Sequence, residues 1–153
     1  MNKRSVTIYG ILAMVVILAD RITKTWALGL DSEKVINQFL SFGLTFNRGI
    51  NWGIFNSTNP SVFIFINILI ALVIVAMMIY TVGCWVHKQP IIGNILIIAG
   101  AVSNYFDRMV HGGVIDFIVF SWGTWSWPAF NIADAAICLG VGLIILDFFL
   151  NKK

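Results

Sequence analysis

Two aspartates, Asp116 in Gly-Gly-Val-Ile-Asp-Phe and Asp134 in Phe-Asn-Ile-Ala-Asp, stand inside or against long apolar stretches. A carboxylate in such a setting is costly and points to a functional site. Two that meet in space repel, so one pKa rises and the pair holds a single proton, titrating as a unit. The ionised member can then take a proton from water while the protonated member polarises a carbonyl. That chemistry suits peptide hydrolysis and calls for no metal, cofactor or covalent intermediate. The other hydrolytic routes lack their residues. There is no His-Glu-x-x-His pair for zinc and no Gly-x-Ser-x-Gly elbow for a serine nucleophile. His87 and His111 are single, and Cys84 and Cys138 lie far from any paired spacing. Both cysteines read as inert buried thiols.

Further polar residues could serve these two. Asn131 lies three residues before Asp134, so both share one face in the first turns of a helix, where the dipole favours an anion. The plainer alternative is that Asp134 only caps that helix or pairs with a cation. Asn104 and Arg108, four apart, share a face of the preceding helix. The planar fork of Arg108 could bind a peptide carbonyl, a lipid phosphate or a carboxylate. Its structural alternative is an ion pair with Asp107, Asp20 or another acid. Asp20, Arg21 and Lys24 close the first helix, with Asp20 and Lys24 at i, i+4 spacing. Arg21 and Lys24 are expected to snorkel to the interface, while Asp20 faces inward as a tether.

The elements that must position these residues are membrane elements. Of 153 residues, 59% are hydrophobic and only 11% are charged. A soluble domain carries roughly a quarter charged residues, so the solvent is lipid. The net charge of +3 comes with no basic cluster, which leaves nothing to hold a nucleic acid. Lys3-Arg4 and the run Val6 to Ala19 resemble a signal sequence, but Asp20-Arg21 follows in place of a cleavage site, so an uncleaved first span is expected. The expected fold class is an all-α membrane protein with four transmembrane helices, at about 6–28, 61–81, 91–108 and 128–150, with Pro128 starting the last. Four spans put both termini on one side. Lys3, Arg4, Lys88, Lys152 and Lys153 mark that side as cytoplasmic when only loops and tails are counted. Trp26, Trp52, Trp122, Trp125 and Trp127 gather at one interface and Trp85 at the other.

One segment changes period. Leu40, Phe42, Leu44 and Phe46 alternate with Ser41, Gly43, Thr45 and Asn47, the mark of a strand with one greasy face. Arg48-Gly49 breaks it, and Ile50 to Ile54 is expected to return as a second strand. Val114 to Phe120 reads as another extended piece and holds Asp116. Backbone in lipid cannot leave its amides unpaired, so these strands belong at the outer surface. Two non-enzymatic readings compete: an ion relay, and a subunit whose polar residues glue helices. Against the relay, Asp20, Asp107, Asp116 and Asp134 gather toward one side instead of spreading through the bundle.

These residues fall into four ordered blocks that resemble the lipoprotein signal peptidase (signal peptidase II) family of bacterial cytoplasmic membranes. The blocks are Asp20-Arg21-Ile22-Thr23-Lys24, Phe46 to Gly53, Ser103 to Arg108 with Gly113 to Phe117, and Pro128 to Asp134. The resemblance implies an aspartyl endopeptidase, with an extracytoplasmic β-cradle at about 35–56 and 114–120, that removes signal peptides just before a diacylglyceryl-modified cysteine. It implies Asp116 and Asp134 as the catalytic dyad, with Asp20, Asn47, Gly49, Asn104, Arg108 and Asn131 binding substrate or supporting the site. It implies no cofactor and no metal, lipid-modified prolipoproteins and membrane lipids as partners, a monomer, and inhibition by globomycin. Two departures from the family pattern stand out: Ser103 in place of a glycine, and Ile50-Asn51-Trp52 in place of a smaller stretch.

Overall fold

A computed structural model of the chain describes residues 3–49 and 60–150, the side chains of Lys3 and Arg4 excepted. The expected strand at 50–54, the remainder of the cradle to 56, Trp52, Lys152 and Lys153 lie outside the described residues. The helices are α1 (Lys3–Ala27), α2 (Pro60–Val86), α3 (Ile92–His111) and α4 (Ile132–Leu150), and the strands are β1 (Lys34–Asn37), β2 (Leu40–Asn47), β3 (Val114–Trp122) and β4 (Trp125–Ser126). The strands form one antiparallel sheet in the order β1-β2-β3-β4.

Three helices, not the expected four, are long and apolar enough to cross a membrane among the described residues: Ser5–Ala27, Pro60–Val86 and Ile132–Leu150. The remaining helix, α3, has 20 residues, but its buried face carries Asn94, Ser103, Asp107 and Arg108. Those polar groups are satisfied inside the protein, because α3 is the central helix and packs against α1, α2 and, most extensively, α4. Contact with α4 is made by small residues. A Cβ on Gly100 would lie 2.5 Å from the Ala133 carbonyl oxygen, and one on Gly140 would lie 2.5 Å from that of Gly93. Only glycine lets the two backbones come this close, as is usual where helices pack without a hydrophobic drive.

Helix ends follow local chemistry. Pro128 does not start α4, contrary to expectation. Asn131 does, because its side chain accepts from the Asp134 amide (2.8 Å) while the Asp134 carboxylate accepts from the Asn131 amide (3.2 Å). This is a reciprocal capping box with aspartate in the third position. The chain from Pro128 to Phe130 instead pairs with β3, where Phe130 donates to the Ile118 carbonyl and accepts from Phe117 and Ile118. At the other turn, α3 ends at Gly112 in the left-handed region (φ 68°), which reverses the chain into β3.

The alternating strand forms as β2, but its neighbours are β1 and β3. Asn37 closes the β1–β2 turn, its side chain accepting from the Phe39 and Leu40 amides. Burial does not track the alternation. Ser41 is buried against Glu33, while Phe46 is exposed. Phe42 is the greasy residue that docks, against Trp26 of α1 and Phe117 of β3. The sheet is thereby fastened over the C-terminal end of α1.

Candidate active site

Four elements converge at that end of the bundle. The last turns of α1 and α3, the first turn of α4 and the start of β3 bring together the polar residues of the expected site. The first turns of α1, the α2–α3 turn and the last turns of α4 lie at the opposite end, around the clefts that hold Tyr9, Trp85, Gln89 and Asp147.

Strand register delivers Asp116. Thr45 of β2 pairs with Asp116 of β3, and Asn47 pairs with Val114. The Asn47 amide then donates to Asp116 Oδ2 at 3.2 Å, while its own oxygen accepts from the Gly49 amide at 3.1 Å. Asp134 arrives from α4 through the capping box. Asn131 joins the two, its amide donating to Asp116 Oδ1 at 2.7 Å while its backbone N–H donates to Asp134 Oδ2 at 3.2 Å. Both carboxylates are therefore hydrogen-bonded to one fully buried residue. Asn104 completes the set, donating to Asp134 Oδ1 at 2.8 Å and accepting from Asn131 at 3.1 Å.

Asp116 is 2% exposed, and burial together with the nearby Asp134 charge lifts its pKa from 3.8 to about 7. The donors Asn47 and Asn131, and the positive Lys24, moderate that rise. Asp134 and Asn47 open on a cavity of about 610 Å3 whose other walls are apolar, among them Phe120, Trp127 and Phe130. A water at its polar end would meet a carboxylate, and an extended apolar chain could fill the rest.

A profile of the family described as Signal peptidase (SPase) II matches residues 12–150. The chain belongs to the signal peptidase II family. A lipoprotein signal peptidase of Pseudoalteromonas atlantica is 37% identical over 147 residues, covering 92% of this chain and 88% of that protein. One from Vibrio vulnificus is 48% identical over 90 residues, covering 55% of this chain, so the match spans about half (51%) of that relative's length. Among solved structures, one described as a bacterial membrane enzyme superposes with a TM-score of 0.77 at 26% identity, covering 96% of this chain and 92% of that one.

Within this signal peptidase II fold the other expected site residues fall as follows. Asp20 is fully buried. Its Oδ1 accepts from the Ala133 amide (2.9 Å), and its Oδ2 meets Ser103 Oγ and Lys24 Nζ at 2.7 Å each. Gly49 and Arg108 meet each other, with Arg108 donating to the Gly49 carbonyl and, at 3.4 Å, to that of Arg48. The alternative expected for Arg108, an ion pair with Asp107 or Asp20, does not form. Arg21 (2.6 Å) and Lys24 (2.7 Å) take Asp107 instead. Lys24 does not snorkel: it is 1% exposed, drawn inward by two acids. Cys84 is buried as expected, but Cys138 is exposed, lining the cavity one turn beyond Asp134. Sequence reasoning paired Lys24 with Asp20 and put Asp107 on the side of the site, but missed that Lys24 also meets Asp107 and Asn104. Their signal was there, in the i, i+4 spacing of Asp20 and Lys24 and in an acid on the face of α3 that also carries Asn104.

Proposed function

We propose that this chain is a membrane aspartyl endopeptidase that cleaves signal peptides from diacylglyceryl-modified prolipoproteins just before the lipidated cysteine. The supporting observation is the pair Asp116 and Asp134, tied through Asn131, with Asp134 in the wall of a largely apolar cavity. The ionised aspartate takes a proton from water, and the water oxygen adds to the scissile carbonyl carbon. The protonated aspartate gives a hydrogen bond to the carbonyl oxygen. The tetrahedral diol collapses as a proton returns to the amide nitrogen, and the C–N bond breaks. Asn104 and Asn131 keep the carboxylates in place, so little reorganisation is needed at the moment of reaction. The apolar walls suit the lipid and the greasy signal sequence, which explains why the site sits at a helix-bundle end.

In this reading α3 is the fourth span, its polar face shielded by α1 and α4. The termini face the cytoplasm of a bacterial inner membrane, and the sheet covers the dyad on the outer face as the cradle of a monomer. Lipid-modified and unmodified precursors, assayed side by side with Asp116→Asn and Asp134→Asn, test it. Each substitution is expected to abolish cleavage of the modified precursor with the folded protein still in the membrane. Full activity in either variant sinks the dyad, and equal cleavage of the unmodified precursor sinks the lipid requirement.

A further inference from the structure

Lys24 is a buried ammonium that the dyad chemistry does not use. Its three N–H donors have three oxygen partners, Asp20 Oδ2, Asp107 Oδ2 and Asn104 Oδ1, each at 2.7 Å. An ammonium donates three hydrogen bonds and accepts none, so the set is complete. The third partner is the informative one. An asparagine side chain presents a carbonyl on one side and an NH2 on the other. With its carbonyl against Lys24, the Asn104 NH2 must face away, and it donates to Asp134 Oδ1 at 2.8 Å. The flipped amide would set its NH2 against the ammonium and against the Asn131 NH2, and its carbonyl against the carboxylate, three repulsive contacts in place of three attractive ones; of the two donors on the carbonyl side, Lys24 is the charged and the shorter one (2.7 Å against 3.1 Å).

We infer that Lys24 is a positioning residue for the reaction: its compact ammonium holds the Asn104 amide in the one orientation that donates to Asp134. This rests on the dyad reading above. The charges around Lys24 are Asp20 and Arg21 on its own helix, Asp107 from α3, and the dyad members Asp116 from β3 and Asp134 from α4, with Arg108 within electrostatic reach of both dyad members. Asp20, Arg21, Lys24 and Asp107 together are neutral. Lys24 therefore acts on the dyad in two ways, through a charge that the neighbouring acids largely offset and through the direction of an amide, and a bare countercharge would not replace the second. A guanidinium keeps the charge, but its planar fork cannot point three donors along the corners of a tetrahedron.

The experiment uses the full chain in lipid-doped micelles with a lipid-modified precursor. It compares the parent, Lys24→Arg, and Lys24→Met combined with Asp20→Asn, a pair that removes one charge of each sign. Thermal unfolding reports the fold. Both variants are expected to fold, to lose about tenfold to a hundredfold in kcat, and to keep KM within about threefold, the split expected when a group acts only in the chemical step. The acid limb of the pH profile is expected to move upward by about one pH unit, because the ionised dyad has lost a donor worth roughly 1.4 kcal/mol. A parent inactive on the precursor would fail the dyad reading itself. An active parent with Lys24→Arg at parental kcat and pH profile overturns this inference alone. So does activity lost only in proportion to the unfolded fraction, or recovery of neither variant folded, since each leaves Lys24 a structural role only.

Discussion

Asp116→Asn should stabilise the protein at alkaline pH while removing its activity. An ordinary aspartate supports folding above its pKa. Asp116 does the reverse, since its folded pKa of about 7 lies above the 3.8 of an unfolded chain. Between those values the folded state holds a proton that the unfolded state has released, so rising pH destabilises the parent across that window. At 1.36 kcal/mol per pH unit the full cost is about 4 kcal/mol above pH 7, and about 1.6 kcal/mol of it is already present at pH 5. Asparagine carries no such cost. It does place an NH2 against Asn47 or Asn131, both of which donate to Asp116, and a buried donor without an acceptor costs about 1–3 kcal/mol. That penalty does not vary with pH. The variant should therefore sit near or below the parent at pH 5 and gain on it by about 2–3 kcal/mol by pH 8. Denaturant titrations in mixed micelles at the two pH values, followed by tryptophan fluorescence, measure the difference directly. A stability gap between variant and parent that is equal at pH 5 and pH 8, or that moves against the variant as pH rises, would refute the reasoning.

Two further substitutions probe the frame around the dyad. Gly100→Ala places a Cβ 2.5 Å from the Ala133 carbonyl oxygen, so α4 must retreat. The expected cost is about 1–3 kcal/mol by thermal unfolding. Cleavage should fall further than stability, because Ala133 adjoins Asp134; parental cleavage would show that the two helices are not the jig that sets the dyad. Ser103→Gly removes the hydrogen bond from Ser103 Oγ to Asp20 (2.7 Å). A bond to a charged group contributes about 1.5–3 kcal/mol, so a loss of that size is expected in unfolding measurements with kcat largely kept. An unchanged stability would mean that Lys24 and Arg21 already satisfy Asp20 without the hydroxyl.

The parts of this molecule that were legible in sequence are those set by period and by cost. The alternation from Leu40 to Phe46 announced β2, and the expense of acids in an apolar chain singled out Asp116 and Asp134. What escaped was set by competition between local signals. Pro128 is a good first residue for a helix, but Asn131 and Asp134 form a capping box three residues on, and reciprocal hydrogen bonds prevailed over a preset φ. Lys24 at a helix end suits a snorkelling side chain. Nothing in its own neighbourhood says that Asp107, 83 positions away, will meet it at 2.7 Å. Hydropathy likewise sees the polar residues of α3 but not the three helices that shield them. For Lys24 and for α3 the deciding partner is distant in sequence, where period and spacing are silent; for Pro128 it is a second local signal that outweighs the first.

The two aspartates owe their positions to different kinds of structure. Asp134 is placed by its own helix, through a box closed within four residues. Asp116 is placed by strand register, through pairing with β2 some seventy residues earlier in the chain. Neither element alone would bring them together; Asn131 does, because it is both the cap of α4 and a partner of Asp116. One residue thus couples helix start to sheet register, and the same residue bridges two carboxylates that repel. The site carries a standing electrostatic cost at neutral pH, and the fold that meets it is the close glycine packing of α3 on α4 together with the neutral cluster of Asp20, Arg21, Lys24 and Asp107. Loosening either should separate the carboxylates and relieve their repulsion. In variants of this frame such as Gly100→Ala, lost packing lowers stability at every pH, while relieved repulsion flattens its decline with rising pH; lowered activity is expected to accompany that flatter pH dependence, a signature that simple unfolding cannot imitate.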